Sequence, residues 1–233
     1  MIVQPTMYDL MQMHIQALYM HDEQARLVAV NDGSGVRAPR FFLGRTEQGN
    51  VWRFGDDLPA ELCTELEVLC QTEPLTRSER PQHEAAYKDI LARHDPIERI
   101  WFGPAYWFPN GAVATTEPIR INEQNAYLLQ GELQAWIPDV PYQQPFMALI
   151  VEGQAAAVCA SVRITDAAHE AGVETLAIQR QKGYAVAVVS AWAEAVEKMG
   201  ARPLYSTSSE NMASQRVAAR LGLSRYGVDF HIT

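Results

Sequence analysis

Apolar residues along this chain recur first at helical spacing and then at strand spacing. Leu10, Met11, Ile15 and Leu18 share one face of a 3.6-residue period, which predicts a helix over residues 8–19. The run Asn31-Asp32-Gly33-Ser34-Gly35 is a loop. Residues 40–44 and 50–54 read as short strands, with Glu47-Gln48-Gly49-Asn50 able to turn between them as a hairpin. Leu58-Pro59 leads into a helix over residues 60–70. A second helix fits residues 82–93 and stops before Asp95-Pro96, because a residue preceding proline is disfavoured in helix. The dense aromatic run from Trp101 to Phe108 reads as core or an inter-domain seam, with a substrate-pocket wall as the sharper alternative. Residues 122–137 are expected to be helical and residues 138–145 a proline-containing loop. From Phe146 the pattern becomes strand, turn, strand over residues 146–164.

A boundary near residue 110 divides an N-terminal α+β region, 1–110, from a second region, 111–233. The first carries no readable motif. There is no internal repeat and no low-complexity tract.

Composition narrows the class. Hydrophobic residues make up 48% and charged residues 20%, as in soluble globular proteins. No apolar run reaches the roughly 18 residues of a membrane span. The first twenty residues lack a basic stretch and are broken by Asp9, Gln12 and His14, so they do not read as a secretory signal. The expectation is a cytoplasmic protein with no membrane partner. The net charge of −9 lies in residues 1–150, with 11 basic and 20 acidic residues, while residues 151–233 balance 8 against 8. Such a chain has no general attraction for nucleic acid. Three cysteines, Cys63, Cys70 and Cys159, are too few and odd in number for a disulfide framework. Cys63 and Cys70 lie two turns apart on one predicted helix face and read as a small buried pair. No ligands stand at metal-site spacing, so no metal is expected.

The chemistry concentrates in the last sixty residues. Residues 172–178 suggest a short strand and its exit. Arg180-Gln181-Lys182-Gly183-Tyr184-Ala185 follows, and residues 186–198, rich in Ala and Val, read as a buried helix ended by Gly200. A strand, a loop and a helix start in this order form an anion site. The first helical turn carries backbone N–H groups without internal partners, and the helix dipole adds positive charge there. A pyrophosphate suits such a place. Gly183 permits close approach, Ala185 keeps the turn slim, and Arg180 and Lys182 add charge. Residues 203–207 then read as a strand, residues 212–221 as a helix opened by Asn211 and stopped by Gly222, and residues 226–232 as a final strand.

This order, with these residues, resembles the GNAT superfamily of acyltransferases. Arg180, Gly183 and Ala185 match its R/Q-x-x-G-x-G/A loop. Asn211 matches the asparagine that opens its next helix, and Leu221-Gly222-Leu223 resembles the following hydrophobic-Gly-Phe element. The run Pro203-Leu204-Tyr205-Ser206-Thr207-Ser208 with Asn211 and Ser214 is similar to the FR47-like branch. The likeness is specific over residues 172–223, looser over 113–233, and does not extend to 1–110. It implies an α/β (α+β) fold with a mixed, splayed sheet flanked by helices, and acetyl-CoA wedged between the splayed strands as co-substrate. By the same resemblance the backbone of Thr175, Leu176, Ala177 and Ile178 bonds the pantetheine arm. Arg180, Gln181, Lys182, Gly183, Tyr184 and Ala185 cradle the pyrophosphate, and Asn211 and Ser214 contact the cofactor. Asn211 also suits a helix N-cap. The implied activity is transfer of an acetyl group to an amine on a small molecule or peptide, and a homodimer is left open.

One position departs from the family. Many members carry a tyrosine seven residues after the asparagine, where it protonates the leaving thiolate; here the residue is Ala218. The acid then passes to Tyr205, Tyr226 or a water, or the domain binds coenzyme A without transfer or serves only as an interaction scaffold. Glu170 and Glu174 are candidate general bases, with His169 next. Glu170 is slightly preferred, as a loop side chain able to reach across the open end of the sheet. A dinucleotide-binding fold is excluded by the missing G-x-G-x-x-G.

Overall fold

A computed structural model describes residues 4–75, 80–110 and 118–233. In chain order the elements are α1 (Met7–Leu18), β1 (Tyr19–His21), β2 (Leu27–Val30), β3 (Phe41–Thr46), β4 (Gly49–Phe54), α2 (Ala60–Thr72), α3 (Glu84–Leu91), β5 (Ile100–Trp107), β6 (Ile119–Arg120), β7 (Phe146–Val151), β8 (Gln154–Ile164), β9 (Ala168–Thr175), α4 (Tyr184–Lys198), β10 (Arg202–Ser206), α5 (Met212–Arg220) and β11 (Ser224–Ile232). The described residues fall into two compact units. One is drawn from Met1–Trp107, Ser206–Met212 and Arg225–Thr233, the other from Phe108–Tyr205 and Ala213–Ser224. The first break falls just before the boundary expected near residue 110; residues 111–117, where the second region was expected to begin, lie outside the described residues.

In the first unit β4, β3, β11 and β5 are neighbours in that order. β3 pairs antiparallel with β4 and with β11, from Phe41↔Ile232 to Arg45↔Val228. α1 starts at a capping box. Thr6 Oγ1 accepts from the Asp9 amide, and the Asp9 carboxylate accepts from the Thr6 amide, so two orphan donors are satisfied at once. Its predicted apolar face is buried at Leu10, Met11 and Ile15. On the sheet's other face α2 and α3 bury Cys63, Leu66, Cys70, Tyr87 and Leu91 against Phe41, Leu43 and Phe230. The cysteines are free and buried, and burial pushes the Cys70 thiol up to about 12. Asp229 on β11 is enclosed between two imidazoles, 3.4 Å from His14 Nε2 and 2.9 Å from His231 Nδ1. Burial pushes its carboxyl up, but the two histidines outweigh burial and hold it below the usual carboxylate range.

The aromatic run from Trp101 to Phe108 is mostly strand β5. Trp101 stacks on His231 at 4.9 Å. Gly103 allows residues 206–212 to lie against β5, where Thr207 N–H donates to Pro104 O and Ser209 N–H to Phe102 O. A Cβ at Gly103 would stand 1.9 Å from the Thr207 carbonyl oxygen, a backbone atom. Gly103→Ala is therefore expected to cost at least the roughly 1–3 kcal/mol typical of overpacking, measured as a loss in urea or thermal unfolding.

In the second unit the order is β6, β7, β8, β9, β10. β6 to β9 are antiparallel, and β10 joins β9 in parallel. α4 packs on β7, β8 and β9, burying Val188, Val189, Trp192, Ala193 and Val196. The opposite face of these strands is covered by residues 126–140, where Leu129, Leu133 and Val140 pack on Phe146, Ala148, Val158 and Ala160.

Residues 122–137 do not form the expected α-helix. Ala126–Leu128 and Gly131–Asp139 are two 3-10 segments. Gly131, the first residue of the second, adopts a left-handed φ of 60°, and Pro138, inside it, has no N–H to donate. Over so few residues a three-residue repeat and a 3.6-residue repeat leave nearly the same apolar pattern, which is why the sequence suggested a helix.

Candidate active site

The second unit contains a fork. β9 keeps its ladder with β8 along its length, as far as Thr175↔Ala157. Its parallel pairing with β10 stops after three rungs, the last being Glu170↔Leu204. Residues 171–175 thus have a strand partner on one edge only. Alternate residues of a strand turn their N–H and C=O to opposite edges, so this stretch offers ladder-forming groups to an extended ligand arm.

Thr175 closes the strand. Leu176, Ala177 and Ile178 lie beyond it, unlike the expected strand backbone. The Leu176 amide is taken by Ala156 O and its side chain enters the core. Ala177–Gln179 forms a 3-10 turn with Ala177 and Ile178 exposed.

The loop from Arg180 to Ala185 sits between that turn and α4. Gln181 and Gly183 both take left-handed φ values, 64° and 85°. Such a kink turns successive amides toward one side, as in anion-binding nests. Gly183 is the N-cap of the fifteen-residue α4, and no side chain caps the helix. The first bond into the helix is Ala187 N–H to Gly183 O, which leaves the Tyr184, Ala185 and Val186 amides as the orphan donors of the first turn. No acidic residue occupies that turn, and a Cβ built on Gly183 meets nothing within 4 Å. Arg180 and Lys182 are exposed beside it. Arg180 Nε reaches Thr175 O at 3.4 Å, and Lys182 Nζ donates to Gln179 Oε1 at 2.7 Å. These donors and charges fit a diphosphate, and the one-sided edge of β9 fits an extended, amide-bearing arm.

Two of the three candidate bases are placed differently from expectation, while Glu174 lies in the strand as expected. Glu170 and His169 are not loop residues: both belong to β9, which begins at Ala168, earlier than the apolar pattern suggested. Glu170 stands on the last paired rung and is 2% exposed, so the reach that favoured it is absent. Glu174 lies in the freed stretch and is half-buried, and its carboxylate accepts the Trp136 Nε1–H from the 3-10 segment Gly131–Asp139. By strand alternation Glu170 and Glu174 share the face covered by that segment. His169 lies on the opposite face, under α4.

There Trp192 Nε1 donates to Ser161 Oγ at 3.0 Å, and Ser161 Oγ lies 2.9 Å from His169 Nδ1. Burial holds the His169 pKa below its ordinary value. The unfolded ring takes a proton near pH 6.5 while the folded ring resists it. The stability it contributes is therefore full above about pH 6.5 and declines as pH falls toward the folded pKa. His169→Gln is expected to flatten the stability curve between about pH 7 and 5, read by thermal melts. A residual slope is expected from His21, whose pKa is also depressed, by burial and then by Arg53.

Tyr205, on β10, is nearly buried, and its hydroxyl lies 2.7 Å from Ser214 Oγ on α5. Asn211 immediately precedes α5 and is exposed; its amide donates to Ser208 O. Tyr226 is buried in the first unit, edge-on to His14 at 6.3 Å. Sequence reasoning missed Trp136, Ser161 and Trp192. Each meets its partner only across strands or across the sheet, with no local spacing to announce it.

No family model and no curated protein matches the sequence. Solved structures do resemble it. A Drosophila protein is 13% identical with a TM-score of 0.51, covering 82% of this chain and 72% of that one. A GCN5-related N-acetyltransferase-like protein from Streptococcus suis is 15% identical with a TM-score of 0.49, covering 84% and 85%. A GNAT-family acetyltransferase from Novosphingobium aromaticivorans is 14% identical with a TM-score of 0.49; this chain spans 66% of its length. At such identities the likeness is one of fold. The fold is a mixed α/β one in which β9 and β10 part ahead of a glycine-led helix.

Proposed function

We propose that this chain is an acyl-CoA-dependent N-acyltransferase that moves an acetyl group from acetyl-CoA to an amine of a small molecule or peptide. The observation that carries this reading is the fork between β9 and β10, set in the chain just before an uncapped, glycine-led helix start. The amides of Gly183, Tyr184, Ala185 and Val186, with Arg180, Gln181 and Lys182, hold the pyrophosphate. The freed edge of β9 up to Thr175 receives the pantetheine arm. Leu176, whose amide is already bonded, does not contribute, while Ala177 and Ile178 border the path. Ser214 lies along the cofactor. The thioester supplies an acyl group already activated toward an amine, so the protein needs only to position the reactants, take a proton and polarise the carbonyl.

Glu174 is the general base in this reading, because it lies in the freed stretch and Trp136 fixes its orientation. A second reading, coenzyme A binding without transfer, is favoured by one observation: the position of the family's usual acid is Ala218, fully buried and without a proton to give.

Calorimetry with acetyl-CoA tests the site. At a hundred times its dissociation constant the ligand should stabilise the fold by about 2.7 kcal/mol. No binding at millimolar concentration would falsify the assignment. Release of free coenzyme A only when a panel of amines is added supports the enzyme; binding without release supports the second reading.

A further inference from the structure

We infer that Tyr205 is the acid that protonates the leaving thiolate, and that Ser214 is the positioning residue that aims it, the pair standing in for the tyrosine absent at Ala218. The inference rests on the coenzyme A site proposed above. Tyr205 is the first β10 residue beyond the last rung shared with β9, so it stands at the apex of the fork. Its hydroxyl is held 2.7 Å from Ser214 Oγ. Ser214 and Ala218 are four residues apart on α5, hence on one helix face about one turn from each other.

Long side chains on a helix lean back toward its N-terminus and cover the preceding turn. A tyrosine at 218 would therefore lay its hydroxyl over the turn that carries Ser214. In this protein the Tyr205 phenol reaches the same turn from the strand. Ala218 is fully buried and offers no proton of its own. Tyr226, the other tyrosine considered, is committed to the core of the first unit beside His14.

The proton account closes. The amine nitrogen bonds to the acetyl carbon and the carbon–sulfur bond breaks, its electron pair remaining on sulfur. Sulfur takes the proton of Tyr205 Oη. The surplus proton on nitrogen goes to Glu174, which releases it to solvent, and the tyrosinate regains a proton from solvent, through the Ser214 hydroxyl. The products are the acetamide and coenzyme A as its thiol.

Two measurements on the full chain test this. The first needs no turnover: titrate the thiol of bound coenzyme A by thiolate absorbance. A phenol donating to sulfur favours the thiolate, so Tyr205→Phe should move the bound thiol's ionisation to higher pH. Ser214→Ala should move it the same way by less, and Ser214→Thr should restore it. The second is steady-state transfer to an amine identified from the panel. Tyr205→Phe should lower kcat by roughly 10²–10⁴ with the KM for acetyl-CoA little changed and the melting temperature close to the parent's. An unmoved thiol titration with parental kcat overturns the inference while leaving the site intact. A shifted titration in a protein with no turnover supports the contact and overturns the enzyme reading. Failure of coenzyme A to bind at all overturns both.

Discussion

Gly183→Glu is expected to weaken acetyl-CoA binding at least about a hundredfold, equivalent to roughly 2.8 kcal/mol, while leaving the fold in place. The new carboxylate would enter the space where a Cβ now meets nothing, beside the amides of the first turn of α4. A carboxylate there has a good partner, since negative charge at a helix start is favoured by about 0.3–1 kcal/mol. It would occupy the donors that a pyrophosphate needs and repel the phosphates as well. The opposing cost is backbone strain: a side chain at φ 85° loses roughly 1–2 kcal/mol. The strain exceeds the gain by about 1 kcal/mol, so melting should fall by about 2–4 °C for a chain of this size. Gly183→Ala separates them, because it carries the strain without the charge and should bind far better than the glutamate variant. Calorimetry on the three proteins gives the comparison. Glutamate-variant affinity equal to the parent's would remove the loop from the site.

Glu174→Gln should lower kcat by roughly 10²–10⁴, the usual loss of a general base, with acetyl-CoA affinity unchanged. Glutamine keeps an oxygen that can accept the Trp136 indole N–H, so the local packing survives and only proton acceptance is lost. Glu170→Gln should cost much less, since Glu170 is buried on the rung where β9 and β10 are still paired. Rates over a range of pH, with affinity measured separately, distinguish the two. Parental kcat in Glu174→Gln with a large loss in Glu170→Gln would transfer the role to the apex of the fork.

The sequence was most legible where local chemistry decides the backbone. Helix α1 was readable from Leu10, Met11 and Ile15, and the β3–β4 hairpin from its turn residues. The loop before α4 was readable because Gly183 is needed at a positive φ and because an Ala- and Val-rich run follows it. Legibility failed where partners are remote. Strand β9 starts at Ala168 because its pairing with β8 continues beyond the apolar stretch, and this turned Glu170 from a presumed loop residue into a buried strand residue. The contact between Trp136 and Glu174 joins a 3-10 segment to a strand, and the His14–Asp229 contact joins residues near opposite ends of the sequence. Neither leaves a spacing that a single sequence can display.

The membership of β11 in the first unit has a consequence for synthesis on the ribosome. Phe41, Phe42 and Leu43 of β3 are all buried, and one edge of that strand is closed by residues of β11. About 180 residues separate the two strands, so at 5–20 residues per second β3 waits roughly ten to forty seconds for its neighbour. During that interval an apolar strand edge of the nascent chain is open to other chains, the condition under which edge pairing leads to aggregation. The first unit thus begins before the second and is completed after it, and chaperone demand should be set by its wait rather than by the unit translated in between.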